Sequence, residues 1–201
     1  TQAEVLRKKD LKPELGGLFD PIKTGGMTGE KWSDIRLNEP IVKPVFTKPA
    51  ASILGMGEMN LKRLMFEKGG KHIQDLLEKV NVKRLKEDTQ EQINTLSGAK
   101  LDDAVKRMKY IEGLEKAGLT PAKAYVGEYI AVVPPKMRPV VPGPNKQVIV
   151  ADANHLYRDV LLSSIKLQEM KSAGIKHDTD LAPLRQDLFN SVSAVAGMSD
   201  P

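Results

Sequence analysis

The chain has 201 residues, 40% hydrophobic and 28% charged, which leaves room for one ordinary domain or a small domain with an appendage. Aromatics make up 4% and cysteine is absent, so a core must rest on Leu, Val, Ile, Met and Ala, and disulfides and thiolate metal sites are excluded. A net charge of +5 admits a polyanionic partner, whereas no apolar run nears the roughly 20 residues that span a bilayer and the first residues hold no apolar signal core.

Residues 1–58 read as a loop-rich platform. Pro13, Pro21, Pro40, Pro44 and Pro49, with Gly16-Gly17 and Gly25-Gly26, break any long helix and leave extended pieces such as SDIRL and KPVF. Leu18, Phe19, Trp32, Ile35, Leu37, Val45 and Phe46 give this platform something to bury. Residues 59–135 read as a helical core. NLKRLMFEKGG runs from an Asn60 cap to a stop at Gly69-Gly70, and KHIQDLLEKV sets Ile73, Leu76, Leu77 and Val80 on one face. Residues 83–96 are polar enough to predict an exposed helix or a mobile connection. In LDDAVKRMKYIEGLEKAG, Leu101, Ala104, Val105, Met108, Ile111 and Leu114 recur every three or four residues, an amphipathic helix that Gly118 ends. Thr120-Pro121 opens a further short turn, and Tyr129 to Val133 predicts a buried strand.

Residues 136–153 form a stiff Pro/Gly loop in which Lys136, Arg138 and Lys146 flank the turn; fixed proline φ angles let such a loop hold a position beside nucleic acid at little entropic cost. Residues 154–197 predict a helical hairpin. Its first arm, from about Asn154 to Ala173, carries Leu156, Val160, Leu167 and Met170; its second, from about Asp180 to Ala196, carries Leu181, Leu184, Leu188, Val192 and Val195. Arms of about 26–30 Å joined by a tip at 174–179 must lie antiparallel, and the pair is expected to protrude with its outer faces exposed. The fold class is mixed, mainly α with short strands. No catalytic constellation stands out: His72, His155 and His177 share no metal-ligand spacing, and GGMTG lacks the Lys-Ser/Thr of a phosphate loop.

The order of these pieces resembles the N-terminal clamp region of the largest subunit (β′) of bacterial-type multisubunit DNA-directed RNA polymerases. VVPPKMRPVVP followed by ADANHLYRDVL is similar to that family's P-P-x-x-R-P and N-x-L-Y-R segment, through Val133, Pro134, Pro135, Arg138, Pro139, Val141, Asp152, Asn154, Leu156, Tyr157 and Arg158. LKPELGGLFDP resembles its L-K-P-E-x-x-G-L-F block at Leu11, Lys12, Pro13, Glu14, Gly17, Leu18 and Phe19; SDIRLNEPIVKPVF and NLKRLMFEKGG resemble the G-H-I-E-L-A segment and the helix after it. The resemblance implies that residues 1–58 are zipper- and clamp-base-like, 136–153 a lid that parts RNA from DNA, and 154–197 the clamp helices on which sigma docks. Lys12, Lys136, Arg138 and Lys146 are then the expected nucleic-acid residues. Arg158, Ser163, Lys166, Glu169, Lys171, Lys176 and Arg185 are those expected to face a factor.

The chain also departs from the family. No zinc ribbon separates the G-L-F and G-H-I-E-L blocks, and the magnesium-holding N-A-D-F-D-G-D loop is absent from this sequence, so the chain is expected to be a fragment or split subunit that does not polymerise nucleotides unaided. Asp159, Ser163 and Lys166 stand where the family's first arm presents arginines, and Pro183 where its second carries a glutamate. Losing two or three charge-assisted contacts at roughly 1.5–3 kcal/mol each makes a dedicated factor a better expectation than ordinary sigma, and implies a phage or mobile-element polymerase. The resemblance implies a non-catalytic clamp part that contains template DNA, separates RNA from DNA and docks an initiation factor. Its implied partners are the other polymerase subunits or the rest of the β′-like chain, DNA and RNA. No cofactor is expected in this chain, magnesium belongs to the complete polymerase, and the setting is a bacterial or phage-infected cytoplasm. The alternative is a free-standing polymerase-derived protein that binds sigma or another transcription factor.

Overall fold

The computed structural model describes residues 14–143, 148–175 and 177–198. Alternating apolar residues, Gly stops and the side-chain caps Asn81 and Thr120 shape several of its elements. β1 (Ser33–Val42) alternates at the period of a half-buried strand: Ile35, Leu37, Glu39 and Ile41 point inward, Asp34, Arg36 and Asn38 outward. It pairs with β2 (Val126–Val132) in a two-stranded sheet. KPVF is not extended as expected; Pro44–Phe46 is a 3-10 turn that leads into α1 (Thr47–Ile53), a helix of only seven residues where a loop-rich platform was expected. Pro49 is tolerated because it lies in the first turn of α1, where its missing N–H has no intrahelical acceptor.

α2 (Glu58–Lys68) starts two residues before Asn60, with Gly57 as its cap, and stops at Gly69, whose φ of 88° is open to glycine. α3 (Gly70–Glu78) buries Ile73 and Leu77. The polar stretch becomes α4 (Val82–Thr95), capped by the Asn81 side chain, which accepts from the Arg84 N–H at 3.1 Å. α5 (Ala99–Ala117) buries Ala104, Met108, Ile111 and Leu114 as its spacing predicts, and ends on Gly118 in the left-handed region. Thr120 caps α6 (Pro121–Tyr125). β2 begins at Val126, earlier than the strand read from sequence, and it is only half-buried: Tyr129 is exposed.

After a 3-10 turn at Pro135–Met137, β3 (Val140–Pro142) and β4 (Val148–Val150) pair antiparallel, Val140 opposite Val150 and Pro142 opposite Val148. The stiff loop is therefore an antiparallel ribbon in its described part. α7 (Asp152–Ser172) and α8 (Asp178–Val195) supply the two helical arms. Val160 and Leu167 of the first are fully buried, and Leu181, Leu184, Leu188 and Val192 of the second are buried.

Two compact units result. One draws its described residues from Thr1–Asn38, Tyr129–Ala173 and Asp187–Pro201; the other from Glu39–Glu128 and Gly174–Gln186. In the second unit, the start of α8 does not jut free as the hairpin reading expected. Arg185 donates to the carbonyls of Phe66 and Glu67 at 3.1 and 2.8 Å, and Lys68 pairs with Asp178 at 3.0 Å, so this half of the arm is docked on the end of α2.

In the first unit a tight turn is built around Asp20. Its carboxylate accepts from the N–H groups of Gly16, Ile22 and Lys23 at 2.6, 2.7 and 3.1 Å, and these donors hold its pKa below the ordinary value. A lowered folded-state pKa means that the contribution is fully present above about 3.8 and fades as pH falls through the lowered value. Asp20→Asn is accordingly expected to lower the melting temperature at neutral pH, with the gap to the parent chain closing in melts taken below that pH. A constant gap down to strong acid would show that the carboxylate charge plays no part.

Candidate functional site

Arg138 lies at the root of the ribbon, and the structure corrects its expected role. Its side chain has no exposure to solvent. Nε donates to the Val133 carbonyl and Nη1 to Asn154 Oδ1, both at 2.8 Å, while Nη2 donates to the Leu18 carbonyl. Asn154 Nδ2 returns a bond to the Arg138 carbonyl at 2.8 Å. The guanidinium sits 4.7 Å from the Phe19 ring centre and 5.9 Å from that of Tyr157. Burial pushes its pKa down to about 10, which still leaves a cation at neutral pH, held by neutral oxygens and ring faces. Such an arginine cannot reach a phosphate. It is an internal tie.

Two more bonds complete the root: Val133 N–H to the Tyr157 hydroxyl at 3.2 Å, and Ala151 N–H to the Pro139 carbonyl at 3.1 Å. Ribbon, N-terminal loop and first turn of α7 are thereby locked together. The residues that carry the resemblance meet here, because Leu18-Phe19, Arg138-Pro139 and Asn154 with Tyr157 come from three separate blocks of sequence. α7 begins at Asp152, two residues before the expected start at Asn154. Ala151 holds the cap position and the Asn154 amide serves Arg138.

Of the other expected nucleic-acid residues, Lys136 is exposed beside this root. Its backbone N–H donates to the Gly29 carbonyl at 3.0 Å and its ammonium pairs with Glu30. Lys12 and Lys146 lie outside the described residues, as does Lys176 of the hairpin.

Along α7, Asp159, Leu162, Lys166 and Glu169 follow one another at spacings of three and four and are all exposed, forming a stripe with Ile165 beside it. Leu162 and Ile165 are 43% and 39% exposed, an apolar pair that a search for charges overlooked although it is legible as non-seam positions of the helix. Arg158 turns to its neighbour Asp159 at 2.9 Å, and Lys171 is half-buried. Ser163 does not break the seam. Its hydroxyl meets that of Ser191 at 3.1 Å and ties α7 to the C-terminal half of α8.

Arg185 is the second correction. It is 9% exposed, with Nε 3.0 Å from Glu39 Oε1 in an ion-pair contact that lacks hydrogen-bond geometry, and Nη1 committed to Phe66, Glu67 and Asp178. A side chain this buried is aimed into the protein rather than at a docking factor.

No family model matches the chain. About half of it is similar to curated proteins named DNA-directed RNA polymerase subunit beta′. It is 27% identical over 106 residues to that of Caldicellulosiruptor saccharolyticus, and 29% identical over 106 residues to that of Symbiobacterium thermophilum. With that of Burkholderia multivorans it shares 30% identity over 105 residues. The matched stretch is 52–53% of this chain and only 7–9% of the length of these relatives. The chain contains a β′-like region. Among the described residues no helix is long and apolar enough to cross a membrane.

Proposed function

We propose that this chain is a non-catalytic clamp portion of a β′-like subunit of a DNA-directed RNA polymerase. It helps to contain template DNA, its ribbon separates RNA from DNA, and α7 docks an initiation factor. The observation that carries this reading is the convergence of three β′-like sequence blocks on the buried Arg138 cluster, which fixes a stiff ribbon to the start of a helix. The partners are then the remaining polymerase parts, DNA and RNA, and a dedicated sigma-like factor. Asp159 and Ser163, at positions where the family has arginines, support a phage or mobile-element origin. Among the described residues no group of three or more His, Asp or Glu side chains could hold a metal.

The factor-docking part turns on the α7 stripe. Lys166→Glu is expected to weaken co-purification of the native factor about tenfold or more, the scale of one charge-assisted contact, without shifting the melt because Lys166 is exposed. Unchanged capture would remove α7 from the docking surface. The nucleic-acid part predicts binding to an RNA–DNA hybrid that weakens steeply between 50 and 200 mM salt, by roughly tenfold or more if several phosphates are contacted. Salt-independent binding or none would overturn it.

A further inference from the structure

Aromatic rings are scarce in this chain, and yet its single tryptophan, Trp32, is 63% exposed. A tryptophan side chain dominates the energetics of whatever core or interface it enters, so a chain short of rings gains most by burying it. Trp32 stands one residue before β1, in step with Asp34 and Arg36, which β1 points outward. Lys31 beside it is exposed. The bond from Lys136 N–H to the Gly29 carbonyl brings a second ammonium to the same loop, where Glu30 holds it. Next along β1 lies a recess of about 210 Å³ whose walls include Lys23, Thr24, Ser33 and Arg36.

We propose that Trp32 is a stacking platform for an unpaired base of single-stranded nucleic acid, with Lys31 and Lys136 meeting the flanking phosphates. This deepens the nucleic-acid half of the reading above and rests on it. A flat, solvent-exposed indole, with Lys31 next to it in sequence and Lys136 tied to the same loop, suits an unstacked nucleotide, which offers a π face flanked by phosphates. Duplex DNA hides those faces except at its ends, so the platform selects single strands. Glu30 occupies Lys136 in the free chain and yields it to a phosphate. The carboxylate therefore keeps the site weak until a base has stacked.

Because Trp32 is the only tryptophan, the tryptophan emission of the 201-residue chain, excited selectively over its four tyrosines, reports on this site. The probes are end-labelled oligothymidylate and oligouridylate of about ten nucleotides, within the usual range for one single-strand site, with a blunt duplex of the same length for comparison. Anisotropy of the label reads binding, and tryptophan emission reads stacking. Emission should be quenched in step with anisotropy for one or both single strands and not for the duplex, the stronger of the two telling DNA from RNA. Trp32→Ala should weaken single-strand binding about tenfold, Trp32→Phe should retain most of it, and Glu30→Gln should tighten it. Trp32 is exposed, so unchanged circular dichroism is expected of these variants. If the oligonucleotide binds while emission stays constant, or Trp32→Ala binds as tightly as the parent, the platform is overturned and the nucleic-acid reading stands. If neither single strands nor an RNA–DNA hybrid binds, both fall.

Discussion

Replacing Arg138 with methionine is expected to destabilise the first unit by about 2–4 kcal/mol, the net of two opposed terms. Removing the guanidinium relieves the desolvation of a buried cation whose partners among the described residues are neutral. Against that, the carbonyls of Leu18 and Val133 and the Asn154 amide oxygen lose their donor inside the protein, at roughly 1–3 kcal/mol each, and three such losses outweigh one relieved cation. Arg138→Lys should do no better than methionine. Lysine keeps a buried charge but cannot fan out to three acceptors or lie flat against Phe19 and Tyr157. Urea unfolding followed through Trp32, which belongs to this unit, gives the number: the midpoint should fall with the slope unchanged. A methionine variant within about 0.5 kcal/mol of the parent, the ordinary range for a surface site, would mean that the cluster is incidental.

Such a result would also explain why the clearest resemblance in the sequence sits where it does. As a string, Arg138-Pro139 looks like part of a cationic loop poised beside a ligand, and Leu18-Phe19 and Asn154 with Tyr157 stand in separate stretches. In space they are the parts of one buried joint. The sequence shows that a positive residue follows two prolines. It does not show that a carbonyl from position 18 will arrive to accept from it, because that meeting depends on contacts more than a hundred residues apart. Arg185 was misread for the same reason. Its outward or inward aim is decided by Glu39 and by the open carbonyls at the end of α2, neither of which helical spacing announces.

What was legible is what local physics decides. Helix α5 follows from its three- and four-residue spacing and its glycine stop, and the stop of α2 at Gly69 from the same rule. Proline density misled for residues 44–53, where Pro44 opens a 3-10 turn and Pro49 falls in the first turn of a helix, the places where proline does no harm. Trp32 was assigned to the core because hydrophobic residues are usually inside. That rule runs only one way, and its failure at the single tryptophan is the observation that carries the stacking site.

The Glu39–Arg185 contact supports the second large effect. Glu39 Oε1 also accepts from the Gly70 N–H at 3.2 Å, so one carboxylate serves the start of α3 while its partner arginine closes the end of α2. Gly69 lets the two helices meet at this point, since a Cβ there would collide with the Glu39 carboxylate. Arg185→Met is expected to cost about 3–5 kcal/mol, because it takes the arginine away from the buried Glu39 carboxylate. Glu39→Gln should cost less, because Asp178 still faces Arg185. The double variant removes both charges, so its loss should fall short of the sum by about 2 kcal/mol, within the usual range for residues in contact. Far-ultraviolet circular dichroism during urea unfolding follows the helices of this unit and measures all four corners of the cycle. Repeating it at 1 M salt, where the Debye length is about 3 Å, should leave the coupling nearly intact for so enclosed a pair. Additive losses would show that the two side chains contribute separately to their own helix ends. A coupling that vanishes in salt would place the pair in water, against its burial.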